Sequence, residues 1–240
     1  MSAPGATSIR IRFTKAGRVR FVSHRDVARL FERALRRLRL PVAYTEGFSP
    51  RPKLSFGLAL TVAHESEAEY LDVELKQPID LEALPAELTS VLPDGLAVDA
   101  VVTNEPGTMS LQQAIVSCDW TIEVLGATED HVRAAVADIL AAGELPMERV
   151  RKGKTTVTDV RPAILELEVA GPTTDGVALR ASLATESVSL RPAELVRALG
   201  PGLVEGRVRR THQWMTVDGA RCEPVSPPGP STRRALERAS

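Results

Sequence analysis

The amino-acid sequence predicts an α+β fold of two tandem ferredoxin-like units, each with the order β-α-β-β-α-β and the second elaborated. Apolar residues alternate with charged ones from Ile9 to Phe13, which predicts a strand. Apolar residues then recur at helical spacing after Ser23, which predicts a helix. Similar patterns start again after the breaker residues between Asn104 and Gly107. We divide the chain into a disordered start, a first unit, a second unit and a disordered tail: residues 1–7, 8–104, 108–221 and 222–240.

The first unit is predicted to be organised around one long helix. Ser23 is a suitable N-cap, and Asp26 completes a pattern similar to a capping box. We expect the helix to end at Pro41, because proline cannot continue a helix. The expected core face of this helix consists of Val27, Leu30, Phe31, Ala34, Leu35 and Leu38.

Shorter elements complete both units. The run from Val19 to Val22 is expected to make the first strand either a hairpin or a bulged edge strand. Further elements of the first unit are strands at 42–44, 54–60, 70–75 and 96–103 and a helix at 79–92. Those of the second unit are strands at 115–124, 147–151, 155–160, 164–169, 177–183 and 208–217, with helices at 129–142 and 192–199.

Composition and cysteine usage restrict the class of protein. No apolar run reaches the roughly 20 residues that a membrane helix needs, and the N-terminal residues lack a hydrophobic signal region. Cys118 and Cys222 lie far apart, which indicates a reducing compartment rather than a disulfide scaffold. We therefore expect a cytoplasmic protein. Aromatic residues make up only 4% of the chain, which argues against a platform for base stacking.

Charge is distributed very unevenly along the chain. The net charge is −1, yet residues 8–53 contain 13 basic and 3 acidic residues, whereas residues 54–150 contain 3 basic and 18 acidic residues. A segregated basic segment creates a local positive field even in a nearly neutral protein. Two interpretations stay open, namely a surface for a polyanion such as RNA, or a solvated surface balanced by acidic residues of the same chain.

The predicted RNA-binding residues lie on the outer face of the first helix, in the proline-rich loop after it, and in the second unit. Arginine and lysine bind phosphate groups, and a helix N-terminus adds free backbone N–H groups. The candidates are Ser23, Arg25, Arg29, Arg33, Arg36, Arg51, Lys53, Lys152, Lys154 and Arg161.

Several of these features have a structural alternative. His24, in the first helical turn, is a candidate general acid or base, and equally a half-buried structural histidine. Arg161 can face a ligand or pair with Asp159. The carboxylates between Glu65 and Glu74 are interpreted as an acidic edge strand rather than a magnesium site. We expect no metal and no cofactor, since the cysteine pattern of an iron–sulfur cluster and the glycine motifs of nucleotide sites are absent from the sequence.

Several stretches resemble a known family. FVSHRD, RALRR, YTEGFSPRPKLSFGLAL and EYLDVEL resemble the radical-SAM-linked domain family, and KGKTTVTDVRP resembles its second signature. The resemblance covers roughly residues 9–212 and is most specific over residues 23–75. It implies a stand-alone member of a family whose domain is otherwise fused to a radical-SAM protein, and it implies no established activity. A weaker resemblance to CRISPR repeat-processing endoribonucleases rests on the paired units, the histidine near the first helix and the Gly-Phe-x-Pro-x-Pro-like segment.

We therefore expect a non-catalytic RNA-binding accessory protein. It would present tRNA or rRNA to a modifying or processing partner, such as a radical-SAM protein or a ribonuclease. A metal-independent endoribonuclease using His24 is one alternative, and an adaptor whose basic face docks an acidic protein is another. The sequence identifies neither the RNA, nor the protein partner, nor the oligomeric state.

Overall fold

The structure, a computed structural model, describes residues 7–151, 153–186 and 188–225, and these form a mixed α/β fold with mostly antiparallel strands and few helices. Among the described residues, two compact units are present. Unit 1 contains residues 7–115 and 215–225, and unit 2 contains residues 116–214. The mixed α/β class is confirmed, whereas two tandem ferredoxin-like units stay a prediction. The predicted disordered ends fall largely outside the described residues, although Thr7 begins the first strand and Cys222 ends the last one.

Helices and strands alternate irregularly along the chain. Those up to residue 114 are β1 Thr7–Lys15, α1 His24–Arg37, β2 Leu54–Phe56, β3 Glu65–Leu75, α2 Leu84–Val91, β4 Leu96–Asn104 and α3 Leu111–Ala114. Those that follow are β5 Ile115–Leu125, α4 Glu129–Ala141, β6 Pro146–Arg151, β7 Lys154–Asp159, β8 Ile164–Pro172, β9 Gly176–Ala184, α5 Pro192–Leu199, β10 Val204–Val217 and β11 Ala220–Cys222.

Unit 1 contains a sheet with α1 and α2 packed on its core face. Its strand order is β4-β1-β3-β2, and every one of these pairings is antiparallel. The alternation predicted for β1 is confirmed, since Ile9, Ile11 and Phe13 enter the hydrophobic core. At the end of the unit, the last residues of β10 pair with β11, as in Met215 opposite Cys222.

Helix α1 forms as its sequence predicts. The Ser23 hydroxyl accepts the N–H of Asp26 at 3.2 Å and donates to its carboxylate at 2.7 Å. The predicted core face is confirmed, because its residues are buried or pack against the core, and the ring of Phe31 lies 4.6 Å from that of Phe13. The helix ends before Pro41, at Arg37, because Arg39 adopts a left-handed backbone with φ of 55°.

Two segments of unit 1 before β3 differ from the prediction. Residues 17–21 form a short 3-10 helix instead of a hairpin strand, because buried Lys15 donates its ammonium hydrogens to the carbonyls of Arg20 and Val22. The predicted strand at 42–44 is reduced to isolated bridges, one joining Val42 to Leu75 and one joining Tyr44 to Pro52. Strand β2 ends at Phe56, and the next residue, Gly57, donates its N–H to the Tyr70 carbonyl of β3.

The acidic segment and the second helix also differ from the prediction. The acidic residues from Glu65 onward belong to β3 itself, which pairs with β1 on one side and, at residues 71–73, with β2 on the other. The interpretation as an edge strand is therefore wrong around Asp72. Helix α2 begins five residues later than predicted, since the Asp80 carboxylate accepts the N–H of Glu82 in a local turn that competes with the helix.

Unit 2 matches the predicted elements closely. Strands β5, β9 and β8 form an antiparallel sheet in that order, and β6 and β7 form a separate two-stranded hairpin. Helix α4 is capped by Thr128, whose hydroxyl accepts the N–H of His131. Helix α5 has the predicted bounds and buries Leu195, Val196 and Leu199.

Candidate nucleic-acid interface

A groove of about 510 Å³ lies between helix α1 and the proline-rich loop that follows it. Four of the predicted phosphate-binding residues line it together, which are Arg25, Arg29, Arg36 and Arg51. The groove is also lined by Ala28, Glu32, Tyr44, Pro50 and Pro52. We call these nine residues the arginine groove. Four guanidinium groups against one carboxylate give it a positive potential.

Hydrogen bonds between its two ends close the proline-rich loop that lines the groove. The Thr45 N–H donates to the Arg51 carbonyl at 2.8 Å, and the Arg51 N–H donates to the Thr45 hydroxyl at 3.0 Å. Below this closure, Tyr44 forms a bridge with Pro52, and the Lys53 N–H donates to the Ala43 carbonyl. These bonds hold Arg51 at the foot of a closed loop whose tip is formed by residues 46–50.

The side chains of the groove arginines are exposed to solvent and are not buried in ion pairs of the core. Arg25, Arg36 and Arg51 are exposed, and Arg29 makes one exposed ion pair with Asp26 at 3.0 Å. Hydrogen bonds from the Ser23 hydroxyl and from Arg29 hold the pKa of Asp26 below its usual range. An exposed pair of this kind contributes little stability, so Arg29 can exchange its partner for a phosphate at small cost.

The other predicted cations of the first unit are in different positions. Arg33 is exposed on α1, where its Nε donates to the Arg29 carbonyl, but it does not line the groove. Lys53 donates to the Glu74 carboxylate at 2.8 Å, and this bond raises the pKa of Lys53. The Ser23 hydroxyl is occupied by Asp26.

The basic residues of strand β1 do not contribute to an outer surface. Arg10 is buried and makes a bidentate ion pair with Asp72, at 2.8 and 2.9 Å. Arg12 is buried too and pairs with Asp99 and Glu223. The sequence count of basic residues therefore overstates the positive surface of the first unit, since part of it is neutralised by acidic partners of the same unit.

His24 lies apart from the arginine groove. Its side chain is exposed and its ring meets the ring of Phe56 edge-on, with centroids 5.0 Å apart. It lines a cavity of about 10 Å³ together with Lys15 and Glu69, among others. Burial lowers the pKa of Lys15. A cavity of this size holds about one water molecule, so it has no room for a nucleotide.

The candidates of the second unit do not form a comparable cluster among the described residues. Lys154 is exposed at the start of β7, and Lys152 lies outside the described residues. The Arg161 guanidinium donates to the carbonyls of Ile164 and Leu140. The Asp159 carboxylate accepts the backbone N–H groups of Leu145 and Arg161, and these hydrogen bonds lower the pKa of Asp159. The partners of this carboxylate are therefore mainly backbone groups.

Within the ranges that the structure describes, no group of three or more histidine, cysteine or acidic residues is arranged to hold a metal ion. In the same ranges, no helix combines the length and apolar character required to cross a membrane.

Sequence reasoning missed five of the nine residues that line the groove. Glu32 and Ala28 lie one helical turn from the arginines, and their position follows from the period of α1. Tyr44, Pro50 and Pro52 were assigned only to a short strand and a loop. The Tyr44–Pro52 bridge depends on a chain reversal that no local pattern encodes.

The chain belongs to a bacterial family, because the model of the family described as "Uncharacterized protein conserved in bacteria (DUF2344)" matches residues 8–192. The predicted membership in a family of unknown function is thereby confirmed. No curated protein matches the chain.

Among solved structures, the chain is similar to chains of several complexes. One is from a Cbf5–Nop10–Gar1 complex, with 14% identity, a TM-score of 0.47 and coverage of 85% of this chain and 48% of that chain. Another is from an H/ACA RNP bound to a substrate RNA containing 2′-deoxyuridine, with 13% identity, a TM-score of 0.44 and coverage of 86% and 47%. A third is from an archaeal box H/ACA sRNP Nop10–Cbf5 complex, with 15% identity, a TM-score of 0.43 and coverage of 85% and 47%. The chain spans about half the length of these relatives, and at such scores they assign it no function.

Proposed function

We propose that this chain is a non-catalytic RNA-binding accessory protein that holds RNA phosphates in the arginine groove. The convergence of Arg25, Arg29, Arg36 and Arg51 on one groove carries the proposal. Guanidinium groups bind phosphate with paired N–H donors and are weakly hydrated, so a cluster of them favours a polyanion. Neutralisation by acidic residues of the same chain describes Arg10 and Arg12, which are buried beside carboxylates. Of the groove arginines, Arg25, Arg36 and Arg51 are exposed, and Arg29 makes an exposed pair with Asp26.

The proposed role is to present RNA, such as tRNA or rRNA, to a modifying or processing partner. The resemblance to the radical-SAM-linked family makes a radical-SAM protein the first partner to test, and a ribonuclease the second. Lys154 is proposed as a secondary phosphate contact because its side chain is exposed.

Cleavage by the chain itself is the weaker alternative. His24 lies at a cavity of about 10 Å³ with apolar neighbours such as Phe56 and Leu60. A general acid or base must lie within hydrogen-bond reach of the group that it protonates or deprotonates, and His24 does not line the groove in which the phosphates are proposed to bind. Labelled RNA incubated with the protein in EDTA should stay intact, and products that disappear with His24→Ala would establish cleavage instead.

The test of RNA binding compares two neighbouring arginines of α1. Arg36 lines the groove, whereas Arg37 is exposed and does not line it. We expect Arg36→Ala to weaken binding of a labelled tRNA about fivefold, the triple variant R25A/R36A/R51A more than fiftyfold, and Arg37→Ala less than twofold. These values correspond to about 1 kcal/mol per phosphate contact.

Fluorescence anisotropy at fixed, low salt gives the dissociation constants. Equal affinities for the wild type and the triple variant, or no binding by the wild type, would refute the proposal. A pull-down of partner protein that survives nuclease treatment, combined with absent RNA binding, would support the adaptor alternative.

A further inference from the structure

Two aromatic side chains accompany the arginine groove although the chain has few aromatic residues. Tyr44 lines the groove and is 41% exposed, with the Lys76 ammonium 5.8 Å from the centre of its ring. Phe48 belongs to the loop tip between Thr45 and Arg51 and is fully exposed. A single exposed phenylalanine is normal on a protein surface, so Phe48 bears on a ligand only because its loop also supplies Pro50 and Arg51 to the groove.

The loop that carries Phe48 is closed by hydrogen bonds between its two ends. The paired bonds between Thr45 and Arg51 close the loop, and Gly47 turns the tip with φ of +124°, in the region that favours glycine. Arg51 is thus at the same time a groove residue and the foot of the loop that presents the ring.

We infer that the arginine groove takes single-stranded RNA, with unpaired bases stacked on Phe48 and Tyr44 and phosphates held by the arginines. The inference rests on the proposed function and names its substrate class. Cationic grooves lined with aromatic rings bind single strands because every base offers a flat face to stack on. The bases of a duplex are already stacked on each other, so a duplex gains only from the arginines.

Helix geometry gives the length of strand that the groove can hold. Arg25 and Arg36 lie about 16 Å apart along α1, at a rise of about 1.5 Å per residue. A strand of double-helical DNA advances about 3.4 Å per nucleotide, and we take the same spacing for a stacked single strand of RNA. The groove therefore takes roughly five nucleotides, and affinity should rise with oligonucleotide length up to about that number and then level off.

The experiment separates base stacking from phosphate binding. Fluorescence anisotropy measures binding of a labelled RNA strand of ten nucleotides, of an abasic strand of the same length, and of the corresponding duplex. We expect the wild type to prefer the strand with bases over the abasic strand about tenfold, and over the duplex by a similar factor. Phe48→Ala should reduce both preferences to about threefold, because Tyr44 remains for stacking, while binding of the abasic strand stays unchanged.

Phe21→Ala is the matched control, because Phe21 is another exposed phenylalanine of unit 1 and belongs neither to the loop between Thr45 and Arg51 nor to the residues that line the groove. It should keep the tenfold preference. Equal binding of the strand with bases and the abasic strand by the wild type, with groove-arginine dependence intact, would overturn the stacking inference and leave the proposed function standing. Absence of binding to every probe would overturn both. Tighter binding of the duplex than of the single strand would also overturn the inference.

Discussion

Arg10 and Arg12 are charged side chains in the interior of unit 1, each beside a carboxylate. Arg10 faces Asp72, the residue opposite it in the register of β1 and β3, and its second donor reaches the Met109 carbonyl. Arg12 is paired with Asp99 and Glu223. Desolvated guanidinium groups are tolerated only with such partners. Removing one partner is therefore more damaging than removing the pair.

Asp72→Ala should lower the free energy of unfolding by about 3 to 5 kcal/mol, because it leaves Arg10 buried without its carboxylate. The double variant R10M/D72L should recover most of this loss, since it removes the charge as well as its partner. Urea unfolding at neutral pH measures both. Glu168→Ala is the control, because it breaks the exposed Arg180–Glu168 pair and should cost less than about 1 kcal/mol. Equal losses for Asp72→Ala and Glu168→Ala would contradict the prediction.

Individual residues also show how far sequence reasoning reaches. The cap at Ser23 and the buried positions of α1 were predictable, since local hydrogen bonding and helical period encode them. The burial of Arg10 and Arg12 was not, because their partners lie 62 and 87 residues away along the chain. Alternation of apolar and charged residues assigns each side chain to one face of the sheet. It does not show whether that face is exposed to solvent.

At the scale of elements, the arginine groove is a helix face completed by a loop. The outer arginines of α1 were predictable, and so was a proline-rich loop with a cation. Their convergence depends on the closure between Thr45 and Arg51 and on the bridge to Pro52, which are tertiary features. The pairing of the acidic strand β3 with β2 is also a tertiary feature. Strand β2 has only three residues, and so short a strand has no clear sequence pattern.

Another element-level contact predicts a pH dependence in unit 2. The Glu123 carboxylate of β5 accepts the Thr173 hydroxyl at 2.6 Å and the Arg207 N–H at 3.0 Å. These bonds hold the pKa of Glu123 below its ordinary value of about 4.3. Because the folded pKa is depressed, the stabilisation is fully present above that ordinary value and is lost as the pH falls through the folded pKa.

Glu123→Gln should therefore lower the stability of the protein at neutral pH and flatten its loss of stability between about pH 5 and pH 3. Thermal unfolding followed by circular dichroism across this range checks the prediction. Glu166→Gln serves as control, because Glu166 is exposed on β8. Parallel curves for Glu123→Gln and the wild type would show that the two hydrogen bonds do not depend on the ionised carboxylate.

At the scale of the whole molecule, the net charge of −1 provides no general attraction for RNA. Any affinity must come from a local field, and the arginine groove supplies four cations to it. Counterion release then sets the salt dependence of binding, at about 0.7 per phosphate for a single strand.

We expect a plot of log K against log salt concentration to have a slope of about −3 for a single-stranded RNA. The variant R36Q/R51Q should reduce the slope to about half, because two phosphate contacts are lost. Titrations between about 50 and 300 mM salt measure both. The variant R33Q/R37Q carries the same charge change outside the groove and should keep the slope. A reduction of equal size in both variants would mean that total charge, rather than the groove, governs binding.

Unit 1 is discontinuous in sequence, and this matters during synthesis on the ribosome. Its residues 215–225 include Glu223, which pairs with Arg12 and accepts the Tyr70 hydroxyl hydrogen at 3.3 Å. About 100 residues separate them from Ile115, which corresponds to roughly 5 to 20 s of translation. During this interval unit 2 can complete its contacts first, whereas in the nascent unit 1 Arg12 has Asp99 but not Glu223, and the Tyr70 hydroxyl still lacks the Glu223 carboxylate. Unit 1 is therefore expected to complete its tertiary contacts after unit 2, although most of unit 1 is synthesised first.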